Sequence, residues 1–200
     1  MFAFSRFSRA LLLAGAVCAG TSLTAFAQST SEPKMAFGQQ PTAEQIAGWN
    51  IDVLPDGTGL PVGHGTAAEG AQVFAARCAA CHGANAEGIP VPGQGAFPRL
   101  VGGIGTLSGD KPVKTVGSYW PYATVAFDYI RRAMPLTAPG SLTNNEVYSL
   151  VAFILSRNGI IPDNAVMNET SLPAVAMPNR NGFYRSAQSE KLTRPRSAGK

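Results

Sequence analysis

Two cysteines and a histidine crowd into the short stretch "RCAACHG" at 77–83 of this 200-residue chain. No other feature constrains the fold as strongly. Whatever the segment holds, two thiols and an imidazole must reach it together, and the rest of the chain must close around the other side. Three chemistries use closely spaced Cys and His. Structural zinc takes four ligands, usually as two separated pairs. Beyond the leading segment the chain offers only Cys78, Cys81, His64 and His82, and Cys81 and His82 are neighbours ill placed to share one tetrahedral ion. A thioredoxin-like dithiol needs a strand–CxxC–helix context, whereas here a helical pattern precedes the motif.

The third chemistry uses all three residues. Each thiol adds to a vinyl group of a porphyrin, and the histidine ligates its iron. The expectation is one covalently bound haem c, with Cys78 and Cys81 as attachment points and His82 as an iron ligand. The flanking pattern agrees. In "HGTAAEGAQVFAARC", Thr66 and Glu69 form a capping box for a helix starting at Ala67. Gly70 and Phe74 share a face at i, i+4, and a bare Gly70 invites a close helix crossing. The crossing partner is "SLTNNEVYSLVAFILSRNG", with Thr143 as N-cap, Glu146 in its box and Asn158-Gly159 as its stop. Its apolar residues Val147, Leu150, Val151, Ile154 and Leu155 follow the helical period, and Leu150 and Phe153 are expected to straddle the Gly70–Phe74 surface.

Residues 1–27 read as a signal peptide: Arg6 and Arg9, an apolar run from about Ala10 to Gly20, and the small-x-small end Ala25-Phe26-Ala27, with cleavage before Gln28. The run falls short of the roughly 20 apolar residues of a membrane span, and none is expected later. Cys18 follows the branched Val17, where a lipid-anchored leader would carry a small residue. The expected location is the periplasm. Charge is unevenly spread. Residues 28–179 carry 8 basic and 11 acidic side chains, while residues 180–200 carry 6 basic and 1 acidic. The basic character belongs to the tail, and nucleic-acid binding, which wants a basic face on the folded part, is excluded.

A six-coordinate iron needs a second axial ligand, and the chain offers Met134, Met35, Met167, Met177 and His64. Met134 follows a helical stretch running from Pro121 to about Ala133, and Pro135 biases it out of the helical region. Its soft thioether suits haem iron and raises the reduction potential.

The order helix, CxxCH, loops and terminal helix resembles a class I cytochrome c over about residues 66–159. The resemblance implies an all-α class I cytochrome c fold, here with extended N- and C-terminal arms (28–65 and 160–200, the latter ending in a basic mobile tail). It also implies Met134 as the distal iron ligand. In "GAFPRLVGG" it implies that the Pro98 carbonyl accepts a hydrogen bond from His82 and that Leu100 lines the haem. Arg99, Tyr119 and Trp120 are candidates for bonding a propionate. Leu172, Val175, Met177 and Phe183 in the trailing arm are too apolar for a free linker and are expected to pack on the body or on a partner.

A narrower likeness covers about residues 48–184. The stretches "IDVLPDGTGLPVGHGTAAEG", "GSYWPYATVAFDYIRRAMPLTAPGSLTNNEVYSLVAFILSRNGII" and "LPAVAMPNRNGF" resemble the cytochrome subunit of sulfane dehydrogenase (SoxD type) and related sulfite dehydrogenase cytochromes. This implies a periplasmic monohaem electron-transfer subunit. It would take electrons from a molybdenum-cofactor dehydrogenase partner oxidising a sulfur compound, and pass them to an acceptor such as another cytochrome. Some members carry a second haem domain; with no second CxxCH in this sequence, none is expected here. A free diffusible carrier and a haem enzyme with an open sixth position are the competing readings. No triad, phosphate loop or paired-carboxylate site supports chemistry of another class.

Overall fold

The computed structural model describes residues 38–184 and 186; the segment 1–27, Met35, Arg185 and the tail after Ser186 lie outside the described residues. The chain divides into two units, Met1–Pro41 and Thr42–Lys200. Of the first only residues 38–41 are described, and every element below belongs to the second.

In chain order these are α1 (Ala43–Trp49), β1 (His64–Thr66), α2 (Ala67–Arg77), α3 (Ala79–His82), β2 (Ile89–Val91), β3 (Gly95–Phe97), α4 (Val116–Tyr119), α5 (Ala123–Ala133), α6 (Asn144–Arg157) and β4 (Val166–Asn168). Four helices start on reciprocal capping boxes: Thr42 with Gln45, Thr66 with Glu69, Thr115 with Ser118, and Thr143 with Glu146. Each box satisfies donors that a helix N-terminus otherwise leaves unbonded. The expected helix over 121–133 begins two residues later, at Ala123. Pro121 holds Trp120 extended, at φ −72 and ψ 133, and so separates the single turn α4 from α5.

Helices carry the body, and the strands are two short antiparallel ribbons, β1 with β4 and β2 with β3. At the centre α6 is buried continuously from Val147 to Leu155. α2 crosses it at Gly70, where an added Cβ would overlap the Ser149 carbonyl and meet Phe153 Cβ at 2.7 Å. Phe74 and Phe153 then stack at 4.9 Å between centroids, and Phe127 of α5 meets Tyr148 of α6 at 4.5 Å. The residue under Gly70 is thus Ser149 rather than Leu150. Only a backbone carbonyl fits so near a helix axis.

Both arms pack on this body. The leading one contains α1, a helix missed among its Gly- and Pro-rich neighbours. It then runs along α5 and the start of α6: the Val53 amide donates to Asp128 Oδ1 (3.1 Å), Tyr148 Oη donates to the Pro61 carbonyl (2.8 Å), and the His64 amide donates to Asn145 Oδ1 (3.0 Å). The trailing arm buries Met167, Leu172, Val175 and Met177 in the common core, whereas Phe183 stays half exposed against Tyr119. β1 and β4 join the two arms, with Gly65 opposite Met167.

Candidate functional site

Cys78 closes α2, its amide donating to the Phe74 carbonyl at 2.9 Å, and α3 begins at the next residue. The bend at Cys78 (φ −125, ψ −33) carries the chain off the α2 axis, so Cys81 and His82 follow in a single separate turn. Neither cysteine is in a disulfide, and Cys78 is half-buried while Cys81 is exposed. Burial pushes the Cys78 thiol up to about 11, with a smaller opposing effect from Arg77. A thiol held so far towards its protonated form is a poor dithiol-exchange nucleophile, and its place at a helix C-terminus also departs from thioredoxin-like sites.

His82 is half-buried and its ring is already oriented. Nδ1–H donates to the Pro98 carbonyl at 2.8 Å, which leaves Nε2 as the nitrogen available to a metal. Two loop bonds bring Pro98 there: the Gly88 amide donates to the His82 carbonyl (2.7 Å) and the Leu100 amide donates to the Ala86 carbonyl (2.9 Å).

Met134 is the C-cap of α5. Its amide makes the last helical bond, to Ile130 at 3.1 Å, and its backbone is extended (φ −119, ψ 149), as a residue before proline must be. Its half-buried side chain packs on the common core, as do those of Cys78, Leu100, Val101 and Trp120. The other methionine and histidine candidates are placed otherwise. Met167 and Met177, both in the trailing arm, are buried in the common core, their thioethers committed to packing. His64 is exposed on β1, opposite Asn168. The propionate candidates also have partners: Arg99 Nε donates to the Glu87 carbonyl (3.2 Å), Trp120 stacks edge-on to Tyr129 (5.6 Å), and Tyr119 lies between Lys114 and Phe183.

One supporting residue was read only as a helix stop. Asn158 Nδ2 donates to the Leu100 carbonyl (3.2 Å) and to the Ile154 carbonyl (2.8 Å), and its Oδ1 accepts the Gly102 amide (2.9 Å). Asn158 thereby ties the Leu100 loop to the end of α6. Its only sequence signal was Asn-Gly at a helix end, which equally marks a plain C-cap.

Two thiols, an imidazole with one coordinating nitrogen left, a thioether and a half-buried apolar rim are the donor set that covalent haem requires. No cluster of three or more His, Cys, Asp or Glu residues suited to another metal occurs among the described residues. No described helix is long and apolar enough to cross a membrane.

Comparison with known proteins agrees with this geometry. The family model for cytochrome c matches residues 67–158. Thiosulfate dehydrogenase from Stutzerimonas stutzeri is 28% identical over 58% of this chain and 34% of its own. The enzyme of the same name from Allochromatium vinosum is 32% identical over 58% of this chain and 38% of its own. The chain therefore spans little more than a third of these curated relatives. The crystal structure of the sulfane dehydrogenase SoxCD from Paracoccus pantotrophus contains a chain that is 39% identical, covers 79% of this one and 75% of itself, and superposes with a TM-score of 0.72. The chain belongs to the cytochrome c family, with a covalently bound haem c and a class I fold.

Proposed function

We propose that this cytochrome is a periplasmic electron-transfer subunit that accepts electrons from a molybdenum-dependent sulfane or sulfite dehydrogenase and delivers them to a downstream acceptor such as another cytochrome. One observation carries the reading. The likeness to the SoxCD chain covers 79% of the sequence, whereas the cytochrome c match ends at residues 67 and 158. It therefore takes in arm residues that a minimal carrier does not need.

Bound haem supplies one-electron redox chemistry. In this reading the chain's own residues do the rest. Cys78 and Cys81 hold the macrocycle through thioethers. His82 Nε2 is the proximal ligand, its plane fixed by the Nδ1–H bond to Pro98, which also raises its basicity. Met134 is the distal ligand, and Leu100 lines the apolar rim that keeps water away. With His82 and Met134 both holding the iron, reorganisation would be small, and the chain would make and break no substrate bond itself. Sulfur oxidation at the partner would release electrons in pairs, and a chain with one such site would pass them on one at a time.

The test is to follow haem absorbance through gentle fractionation of the native periplasm, then assay the haem fraction for molybdenum. The expected result is a molybdenum-containing chain at fixed stoichiometry, with haem reduction when thiosulfate, sulfite or a sulfane-sulfur compound is added. A lone haem chain that none of these reduces, with or without the remaining fractions, sinks the proposal and favours a general carrier.

A further inference from the structure

α5 carries Met134 at its end, and one face of that helix is fixed by burial of Ala123, Thr124, Ala126, Phe127 and Ile130. Beyond Met134 there is little to hold it: residues 136–141 are exposed, their turn bonds are local (Ala138 amide to Pro135, Ser141 amide to Ala138), and the one outside anchor is Arg77 Nη2 donating to Ser141 Oγ at 2.9 Å. The last turn of α5 is therefore held by the burial of Ile130 on one face and by the leading arm on the other. Asp128 Oδ1 accepts the Val53 amide (3.1 Å) and its Oδ2 pairs with Arg132 Nε (3.3 Å). Arg132 Nη1 reaches Asp52 at 2.7 Å, and Arg131 Nη1 donates to the Ile51 carbonyl at 3.5 Å. The Asp128 side chain is only 20% exposed, so its bond to the arm amide is partly shielded from water.

We propose that Asp128 and Arg132, gripped by Asp52 and Val53 of the leading arm, are positioning residues that hold Met134 in place as an axial ligand. The arm is then part of the distal side of the site, although none of its residues is an iron ligand. This rests on Met134 being that ligand. A thioether bond to ferric iron is weak and soft. A modest loosening of the last turn of α5 therefore shifts the balance towards an added competing ligand.

The test uses the full haem-loaded protein in the ferric state at fixed pH. It measures the apparent affinity for added imidazole and the charge-transfer band of methionine-ligated ferric haem. Asp128→Ala raises the imidazole affinity about tenfold, the size expected from one lost hydrogen bond to a charged group; Arg132→Gln, whose pair with Asp52 is exposed, raises it by a smaller factor of about two to five, and Arg132→Lys recovers part of the change. Tyr148→Phe serves as the control. It cuts a different arm bond, from Tyr148 on α6 to the Pro61 carbonyl of the arm, and leaves the imidazole affinity unchanged while lowering thermal stability. Equal affinities in wild type, Asp128→Ala and Arg132→Gln overturn the proposal, as does a rise of the same size in Tyr148→Phe. Met134→Ala separates the two failures: loss of the band with no effect of the clamp variants removes the clamp alone, whereas a band that survives Met134→Ala removes both.

Discussion

The α carbon of Gly70 in α2 rests against the backbone carbonyl of Ser149 in α6, with Phe153 Cβ closing the other side of the same spot. There is no flexible side-chain end to move out of the way. Gly70→Ala must therefore push the two helices apart, and overpacking of this kind costs about 1–3 kcal/mol, or more where backbone has to shift. At roughly 2–4 °C per kcal/mol for a chain of this size, thermal unfolding by circular dichroism is expected to fall by several degrees. An unchanged midpoint would mean the crossing is looser than described.

Met134 leaves α5 in an extended conformation. If it ligates iron, Met134→His keeps six-coordination but replaces a thioether with a nitrogen donor, which lowers the potential. The expected fall is on the order of a hundred millivolts or more, within the roughly 0.8 V that axial ligation spans. Met134→Ala opens the sixth position and allows exogenous ligands to bind. Redox titration of the two variants beside wild type checks this, and coincident curves would remove Met134 from the iron.

Asn158 makes three side-chain hydrogen bonds, two that tether Leu100 and Gly102 to the end of α6 and one back to the Ile154 carbonyl. Asn158→Ala loses all three at about 1 kcal/mol each, so urea unfolding is expected to show a loss of about 2–3 kcal/mol. Because Pro98 sits on the same loop, the bond to His82 loosens too and the potential shifts. A stability loss with no change in potential would confine Asn158 to a structural role.

Tyr148 is buried, and its phenol donates to the Pro61 carbonyl at 2.8 Å. Burial, helped by the charge of Glu169, pushes its ionisation from 10.0 up to about 12. A raised folded value means the stabilisation is complete below pH 10 and is lost as pH climbs towards 12. At neutral pH Tyr148→Phe is expected to cost about 1 kcal/mol, and the two stability curves draw together between pH 10 and about 12. Parallel curves across that window would show the phenol to be better solvated than its burial implies.

Most of the helical frame was legible because caps are local. Thr66 with Glu69 and Thr143 with Glu146 announce their helices within four residues, and Gly70 announced a crossing. The box of Thr42 and Gln45 was equally visible but sat among Gly and Pro, and α1 buries none of its residues, so no apolar stripe marked it. The ribbon of β1 and β4 had no readable signal. Each strand has three residues, too few for an alternation, and the partners lie far apart in the sequence, at 64–66 and 166–168. The site divides in the same way. The spacing of Cys78, Cys81 and His82 is a property of the sequence alone, whereas the grip of Asp52 and Val53 on α5 and the ties made by Asn158 exist only once distant segments meet.

The ribbon has a consequence for the order in which the molecule assembles. Gly65 lies against Ser149, the residue that also receives Gly70, so β1 and the α2 crossing share one spot on α6 and should form together. β4 has no strand to pair with until β1 is seated. The closure entropy of so long a loop favours late pairing. The two arms should then open and close as one cooperative unit, shedding amide protection together. Nicking one arm would lower the amide protection of the other at the ribbon.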